Sequence, residues 1–206
     1  MYRRIFRIIS RCIFWIIQIF NRSLISIWFY YLKKRNSNVI FGKNMIFNGI
    51  PILRFNKHST IRFGNNIIFN NSTKNNLAGI NKPCSIAVLE GAEFIVGNNS
   101  GFSGVSIFCS NSITIGDYVN IGVNVFIWDT DFHPLNFLER RSTCLGAKSA
   151  EIKIGNDVFI GGNSIILKGV SIGDRSIIAA SSVVTKTIPS DEIWGGNPAK
   201  FIKFEL

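Results

Sequence analysis

The 206-residue sequence is poor in the residues from which many catalytic and metal centres are built. It holds two histidines, His58 and His133, and four cysteines at positions 12, 84, 109 and 144 with no C-x-x-C spacing. A disulfide framework or a cysteine-based zinc site is therefore not expected, and four free thiols suit a reducing cytosol. Acidic residues number only 12, and none lies in the first 35 positions. No glycine-rich nucleotide domain precedes the rest of the chain, and "GGNPAK" lacks the G-x-x-x-x-G-K-[ST] spacing of a phosphate loop. Charged residues make up 17% against 47% hydrophobic ones, which argues against disorder. The length suits one domain with room for an appendage.

What is present in excess is positive charge, and it is unevenly placed. The net charge is +11, and Arg3, Arg4, Arg7, Arg11, Arg22, Lys33, Lys34 and Arg35 supply eight of it. From position 36 onward the remaining bases are nearly balanced by the acids, so the body is close to neutral and a nucleic-acid partner is not expected. The opening segment, "MYRRIFRIISRCIFWIIQIFNRSLISIWFYYLKKRN", is also the most hydrophobic. No small-residue cleavage site follows its apolar run, so it does not read as a secretory signal. The stretch from Cys12 to Leu32 is long enough to span a bilayer, but Arg22 at its centre would cost about 2.5–3.5 kcal/mol. Arg4, Arg7, Arg11, Gln18 and Arg22 fall instead along one stripe of a helix. With Trp15, Trp28, Tyr30 and Tyr31, that stripe predicts a helical segment over 1–36 lying in the headgroup plane of an anionic membrane. Packing of the same helix on the body or on a sister subunit is the alternative.

The body has a six-residue beat. Ile154, Ile160, Ile166, Ile172, Ile178 and Val184 follow one another without a break, and Ile115, Ile121 and Ile127 keep the same phase upstream. A looser version runs through Val96, Phe102 and Phe108 before slipping by one residue, and Phe41-Gly42 and Phe63-Gly64 read as earlier, degraded copies. A helix would carry residues six apart about 240° around its axis, so the beat is not helical. Short strands joined by turns account for it, with Gly, Asn and Asp at the corners because they tolerate positive φ. Three units make one triangular coil, and stacked coils bury a column of Ile and Val.

The beat stops once. Where the residue after Ile127 in the series should follow six positions on, it arrives only at Ile154. The excess forms a loop, spanning 128–150, that carries Trp128, Asp129, Asp131, His133, Pro134, Arg140 and Arg141. Loops of this length inside compact domains are commonly functional. In an extended segment Asp129, Asp131 and His133 alternate onto one face, which leaves a carboxylate–histidine metal site open as one reading. Cys144 in the same loop leaves a thiol nucleophile open as another.

From about Val96 to Lys203 the chain resembles the hexapeptide-repeat acyltransferases. It is especially similar to the maltose and galactoside O-acetyltransferases and the bacterial polysaccharide O-acetyltransferases. The resemblance rests on "ITIGDYVNIGVNVFIWDTDFHP", "IKIGNDVFIGGNSIILKGVSIGDRSIIAASSVVTK" and "IWGGNPAKFIK", about half the chain. It implies an all-β fold, a left-handed parallel β-helix, assembled as a homotrimer. It also implies acetyl-CoA as donor, no metal, and direct transfer in a ternary complex. "DTDFHP" matches the place of the family's catalytic histidine, which makes His133 the expected general base, since an imidazole with a pKa near about 6.5 can take a hydroxyl proton at cytosolic pH. Asp129, Asp131 and Trp128 are expected to orient His133 or to bind the acceptor. The coenzyme contacts of the family fall here on Gly162, Ala180, Thr185, Lys186, Lys200 and Lys203, with small residues beside the pantetheine and lysines toward the phosphates. The metal-binding relative of this fold, the gamma-class carbonic anhydrase, is implied to need three histidines, one more than this chain has.

These readings together predict three segments: a membrane-associating helix (1–36), a β-helix (37–190) and a C-terminal tail (191–206). The expected activity is O-acetylation of a cell-surface polysaccharide or lipid-linked oligosaccharide at the cytosolic face of the cell membrane. Acetylation of a small soluble sugar, a nucleotide-sugar amine or serine, or a non-catalytic β-helical scaffold, are the alternatives.

Overall fold

The computed structural model describes residues 23–74, 76–142 and 146–205. The chain divides into two compact units, Met1–Ser37 and Asn38–Leu206. In the first, residues 23–35 form helix α1. Asn36 ends it by donating both its backbone N–H (3.1 Å) and its side-chain Nδ2 (2.9 Å) to the Leu32 carbonyl, which satisfies a carbonyl the last turn would leave open. Leu24, Ile27, Tyr30 and Tyr31 are exposed on α1. The stripe of Arg4, Arg7, Arg11, Gln18 and Arg22 lies outside the described residues. No described helix is long and apolar enough to cross a membrane.

The second unit is a three-sided parallel coil wound six times. The first turn is β1 (Val39–Phe41), β2 (Ile46–Asn48) and β3 (Ile52–Phe55). The next two are β4 (Thr60–Phe63), β5 (Ile68–Asn70) and β6 (Ser85–Val88), then β7 (Glu93–Val96), β8 (Gly101–Ser103) and β9 (Ser106–Cys109). The fourth is β10 (Ser112–Ile115), β11 (Asn120–Val123) and β12 (Phe126–Trp128). After the loop, which contains helix α2 (Phe137–Ser142), come β13 (Ile152–Ile154), β14 (Phe159–Ile160) and β15 (Ile165–Leu167). The sixth is β16 (Ser171–Ile172), β17 (Ile177–Ile178) and β18 (Val183–Val184). Every third strand pairs in parallel, so each side of the prism is one sheet: β1 to β16 on the first, β2 to β17 on the second, β3 to β18 on the third. The segment set apart as a tail (191–206) adds two strands to the second sheet. Its β19 (Glu192–Gly195) pairs in parallel with β17, and β20 (Lys200–Phe204) folds back antiparallel onto β19.

The register pairs give the length of each coil. Lys153 pairs with Ser171, three repeat units further on, and Phe94 pairs with Ile113, three units and one residue away. The coil from Val39 to Ile61 is longer, and that from Ile61 to Phe94 is longer still because residues 71–84 are inserted between β5 and β6. Every member of the unbroken beat is buried, as are Ile115, Ile121 and Ile127. Upstream the inward residue on β9 is Ile107, while Phe108 faces outward. The slip expected after Phe108 therefore falls one strand earlier, between Phe102 and Ile107. In the first coils phenylalanine replaces isoleucine in the core column: the rings of Phe47 and Phe69 stack at 5.3 Å, and those of Phe69 and Phe102 at 5.1 Å.

The corner between the first and second sheets explains why a small residue follows the beat. Gly64-Asn65, Gly97-Asn98, Gly116-Asp117, Gly155-Asn156 and Gly173-Asp174 stack there. The side-chain oxygen of each Asn or Asp accepts a backbone N–H from the coil below: Lys43 N–H to Asn65 (2.8 Å), Asn65 to Asn98 (2.9 Å), Asp117 to Asn156 (2.9 Å), Asn156 to Asp174 (2.7 Å). The following residue (Asn66, Asn99, Tyr118, Asp157, Arg175) sits at φ of 57–61° to turn the corner, a region open to few L-residues. The glycines are required by close approach: a Cβ on Gly116 would stand 2.7 Å from the Gly155 carbonyl oxygen and 2.8 Å from its carbon. Gly116→Ala is expected to lower the unfolding free energy by about 1–3 kcal/mol. Gly101→Ala, whose added methyl would meet only Asn120 Oδ1 at 3.6 Å, is expected to leave it nearly unchanged; denaturant melts of the two variants compare them.

Candidate active site

The loop leaves the coil after Trp128, the last residue of β12, and is zipped at its base. Ala150 N–H donates to the Asp129 carbonyl (2.9 Å) and Asp131 N–H to that of Lys148 (3.0 Å), with Thr130 and Ser149 forming an antiparallel bridge between them. This neck returns the chain to its point of exit. Ile152 therefore pairs with Ile113 as though nothing intervened, and the beat resumes.

Asp129 belongs to the neck, not to the exposed face of the loop. It is 0% exposed, and its carboxylate accepts N–H from Ser110 (2.7 Å), Asn111 (2.7 Å) and Ser112 (2.9 Å), the turn that joins β9 to β10 in the coil below. Burial pushes its carboxyl pKa above the usual range, opposed by those three amides. Both oxygens are thus committed to the backbone, which corrects the expectation that Asp129 orients His133 or touches an acceptor. The alternation of Asp129, Asp131 and His133 onto one face also fails. Phe132 adopts φ of 63°, and His133 N–H donates to the Asp131 carbonyl at 2.7 Å, so the chain makes a tight turn where an extended strand was assumed. No cluster of three metal-ligating side chains occurs among the described residues.

Asp131 pairs with Lys168, Oδ1 to Nζ at 2.8 Å, while its Oδ2 is buried without a hydrogen-bond partner. Lys168 was missed by the sequence reading. The register of the repeats gives only its neighbourhood: Trp128 pairs with Leu167, so Lys168 leaves the third sheet one rung above Asp129, and its partner is the acid two residues further on. His133 itself is exposed. The residue before it, Phe132, lays its ring against Phe108 (4.9 Å between centroids) and Trp128 (5.5 Å), which fixes the start of the loop onto the third sheet. Farther out, Asn136 caps α2 through its side chain (Leu138 N–H to Oδ1, 2.9 Å), and Arg140 Nη1 donates to the carbonyls of Pro134 and Leu135.

Of the residues expected at the coenzyme, Gly162 and Ala180 share one corner of the last coils, where Ser181 N–H donates to the Gly162 carbonyl at 2.8 Å. Packing by itself already calls for a small residue at Gly162, where an added Cβ would meet Val123 Cγ2 at 3.0 Å and Val123 O at 3.1 Å in the coil below. Ala199 N–H donates to the Val183 carbonyl (2.8 Å), which seats the β19–β20 turn, and the start of Lys200, beside the strand that leads into Thr185 and Lys186. Lys203 lies toward the far end of β20, opposite Ile193. Ala180, Thr185, Lys186, Lys200 and Lys203 are all exposed. No carboxylate among the described residues pairs with the three lysines. All three ammonium groups are therefore open to an anion.

Thiol chemistry finds no support in the buried cysteines. Burial pushes the Cys84 thiol up to about 11 and that of Cys109 higher still, where the Asp129 carboxylate adds to the effect. Cys144 lies outside the described residues. Asp129→Ala, which takes the acceptor from three part-buried amides and leaves a hole at a fully buried position, is expected to lower the unfolding free energy by about 2–4 kcal/mol. Asp131→Ala removes a partly exposed ion pair and is expected to lower it by less than about 1 kcal/mol. Urea unfolding measures both.

Residues 151–186 match the bacterial transferase hexapeptide (six repeats) family. The galactoside O-acetyltransferase of Escherichia coli K12 is 41% identical over 92 residues, 45% of this chain and 44% of that protein. The solved galactoside acetyltransferase in complex with coenzyme A superposes with a TM-score of 0.50 and 28% identity, covering 80% of this chain and 65% of the other. A variant of AntD, an N-acyltransferase from Bacillus cereus in complex with dTDP and coenzyme A, gives a TM-score of 0.62 over 85% of this chain and 87% of the other. At 20% identity that last likeness is one of fold. The chain spans about half the length of the curated relatives it matches. Its parallel prism is thus the left-handed β-helix, and within it residues 151–186 are what match the hexapeptide transferase family.

Proposed function

We propose that the protein is an acetyl-CoA-dependent O-acetyltransferase acting on a carbohydrate, with His133 as general base. The observation that carries this reading is the loop itself: a coil that keeps its register on both sides extrudes a long segment and presents on it an exposed histidine, directly after a phenylalanine packed on Phe108 and Trp128. Likeness to a galactoside acetyltransferase that binds coenzyme A supports the donor, and the exposed Lys186, Lys200 and Lys203 suit its phosphates.

In the reaction an acceptor hydroxyl oxygen attacks the thioester carbonyl carbon while the His133 imidazole takes the hydroxyl proton. Backbone N–H groups stabilise the oxyanion of the tetrahedral intermediate. Collapse breaks the C–S bond, and the departing thiolate takes the proton back from the imidazolium. The products are an acetyl ester and the CoA thiol. Asp131 and its partner Lys168 act through the loop as positioning residues. The eight bases and absent acids of residues 1–35 support an anionic membrane surface as partner. The acceptor is then a cell-surface polysaccharide or lipid-linked oligosaccharide, met at the cytosolic face by a homotrimer.

The test is thioester consumption with membrane-derived glycan as acceptor. His133→Ala is expected to lower the rate by about 10²–10⁴-fold while coenzyme A binding stays unchanged. Activity that survives the substitution would move the chemistry to another residue, with Cys144 next in line.

A further inference from the structure

Four strands of the third sheet, β3, β6, β9 and β12, lie side by side, and their outward residues form two cross-strand rows. One row is Ile52, Ser85, Ser106 and Phe126; the other is Arg54, Ala87, Phe108 and Trp128. Large side chains stand at the ends of the first row and small ones in its middle, while in the second Ala87 alone is small. The result is a trough, a pocket of about 400 Å³, within the range of about 300–1,000 Å³ usual for small-molecule sites. Phe132, turned onto the sheet by its positive φ, completes an aromatic wall with Phe108, Phe126 and Trp128. His133 is the next residue.

The charged groups of the trough are of one sign. Arg54 lines it on the side away from the rings, and no carboxylate does. At the floor, the Ser85 and Ser106 hydroxyls meet at 2.9 Å. Ser106 also accepts from Lys82 Nζ at 2.7 Å, and that ammonium sits 3.6 Å above the centre of the Phe126 ring. Lys82 comes from the segment inserted between β5 and β6, which the fold does not need to complete a coil. Asn124 anchors that segment by donating to the Gly79 carbonyl (2.9 Å) and accepting from Asn81 N–H (3.1 Å). Burial lowers the pKa of the ammonium, a penalty that an anion beside it would relieve. An aromatic wall, paired hydroxyls and two cations with no acid among them suit a sugar ring: its C–H face stacks on the rings, its hydroxyls meet the serines, and a negative substituent meets Arg54 and Lys82.

We propose that this trough is the acceptor subsite and that it selects an anionic pyranose, a uronate or a sugar phosphate, over a neutral one. The inference rests on the acetyltransferase reading and adds the class of acceptor. It is tested on the full chain by ligand-observed NMR titration with trigalacturonate, glucose 1-phosphate and maltotriose, with coenzyme A binding measured in parallel. The anionic sugars are expected to bind at least about tenfold more tightly than maltotriose, and Arg54→Gln and Lys82→Gln each to weaken them by about tenfold without altering maltotriose or coenzyme A binding. The preference between the two anionic probes tells carboxylate from phosphate. Equal binding of charged and neutral sugars, binding of none, or indifference to both substitutions overturns the proposal. Loss of self-association in Arg54→Gln with sugar binding unchanged also overturns it, assigning the trough to contact between copies of the chain. Because sugar and coenzyme are read separately, loss of coenzyme A binding alone counts against the acetyltransferase reading and not against the trough.

Discussion

The structure depends on one repeated hydrogen bond, from a corner N–H to the side-chain oxygen of the Asn or Asp one coil above. The glycine before that residue lets the two backbones approach closely enough to make it. Each bond fixes where a coil sits on its predecessor, and parallel pairing carries that register along three sheets. The buried Ile and Val columns follow from it, because a shift of one residue would turn every inward side chain outward. The same corner acts across the interruption: Asp117 N–H still meets Asn156 at 2.9 Å although the loop lies between them.

That constraint explains how the fold carries chemistry. A flat prism face offers rows of short strands but no side chain that can reach beyond its own surface. Extruding a loop costs little once its neck is closed, since entropy grows slowly with loop length. Here Asp129 ties the neck to the turn beneath it, and the pairing of 129–131 with 148–150 closes it. Phe132 then presses the outgoing strand onto the third sheet, so His133 starts from a fixed point.

The β-helix was legible in the sequence from Ser112 onward, because there isoleucine and valine keep a strict beat and each coil stays near three repeat units apart from one break. Earlier coils were harder to read. Phenylalanine replaces isoleucine at Phe47, Phe69 and Phe102, and the insertion at 71–84 stretches one coil well beyond its neighbours. The loop and His133 were legible from the break in spacing and from resemblance. The role of Asp129 was not, since an aspartate that clamps a turn and one that meets a ligand look alike until burial separates them. The packing reason for a small residue at Gly162, Val123 in the coil below, was likewise invisible before the coils were stacked. The aromatic trough could not be seen at all before the coils were stacked, because its walls come from positions 52, 54, 85–87, 106–108, 126, 128 and 132.

The central claim is that the loop serves chemistry and the coil does not need it. Excising residues 130–150 and joining Asp129 to Glu151 through one glycine leaves a link between Trp128 and Ile152 as short as the one that residues 168–170 make between Leu167 and Ser171. Calorimetry and a coupled transfer assay on this variant give the direct measurement. A cooperative melt close to that of the intact chain, with coenzyme A still bound and acetyl transfer abolished, is the result predicted. A chain that no longer folds, or one that still transfers acetyl groups, would contradict it.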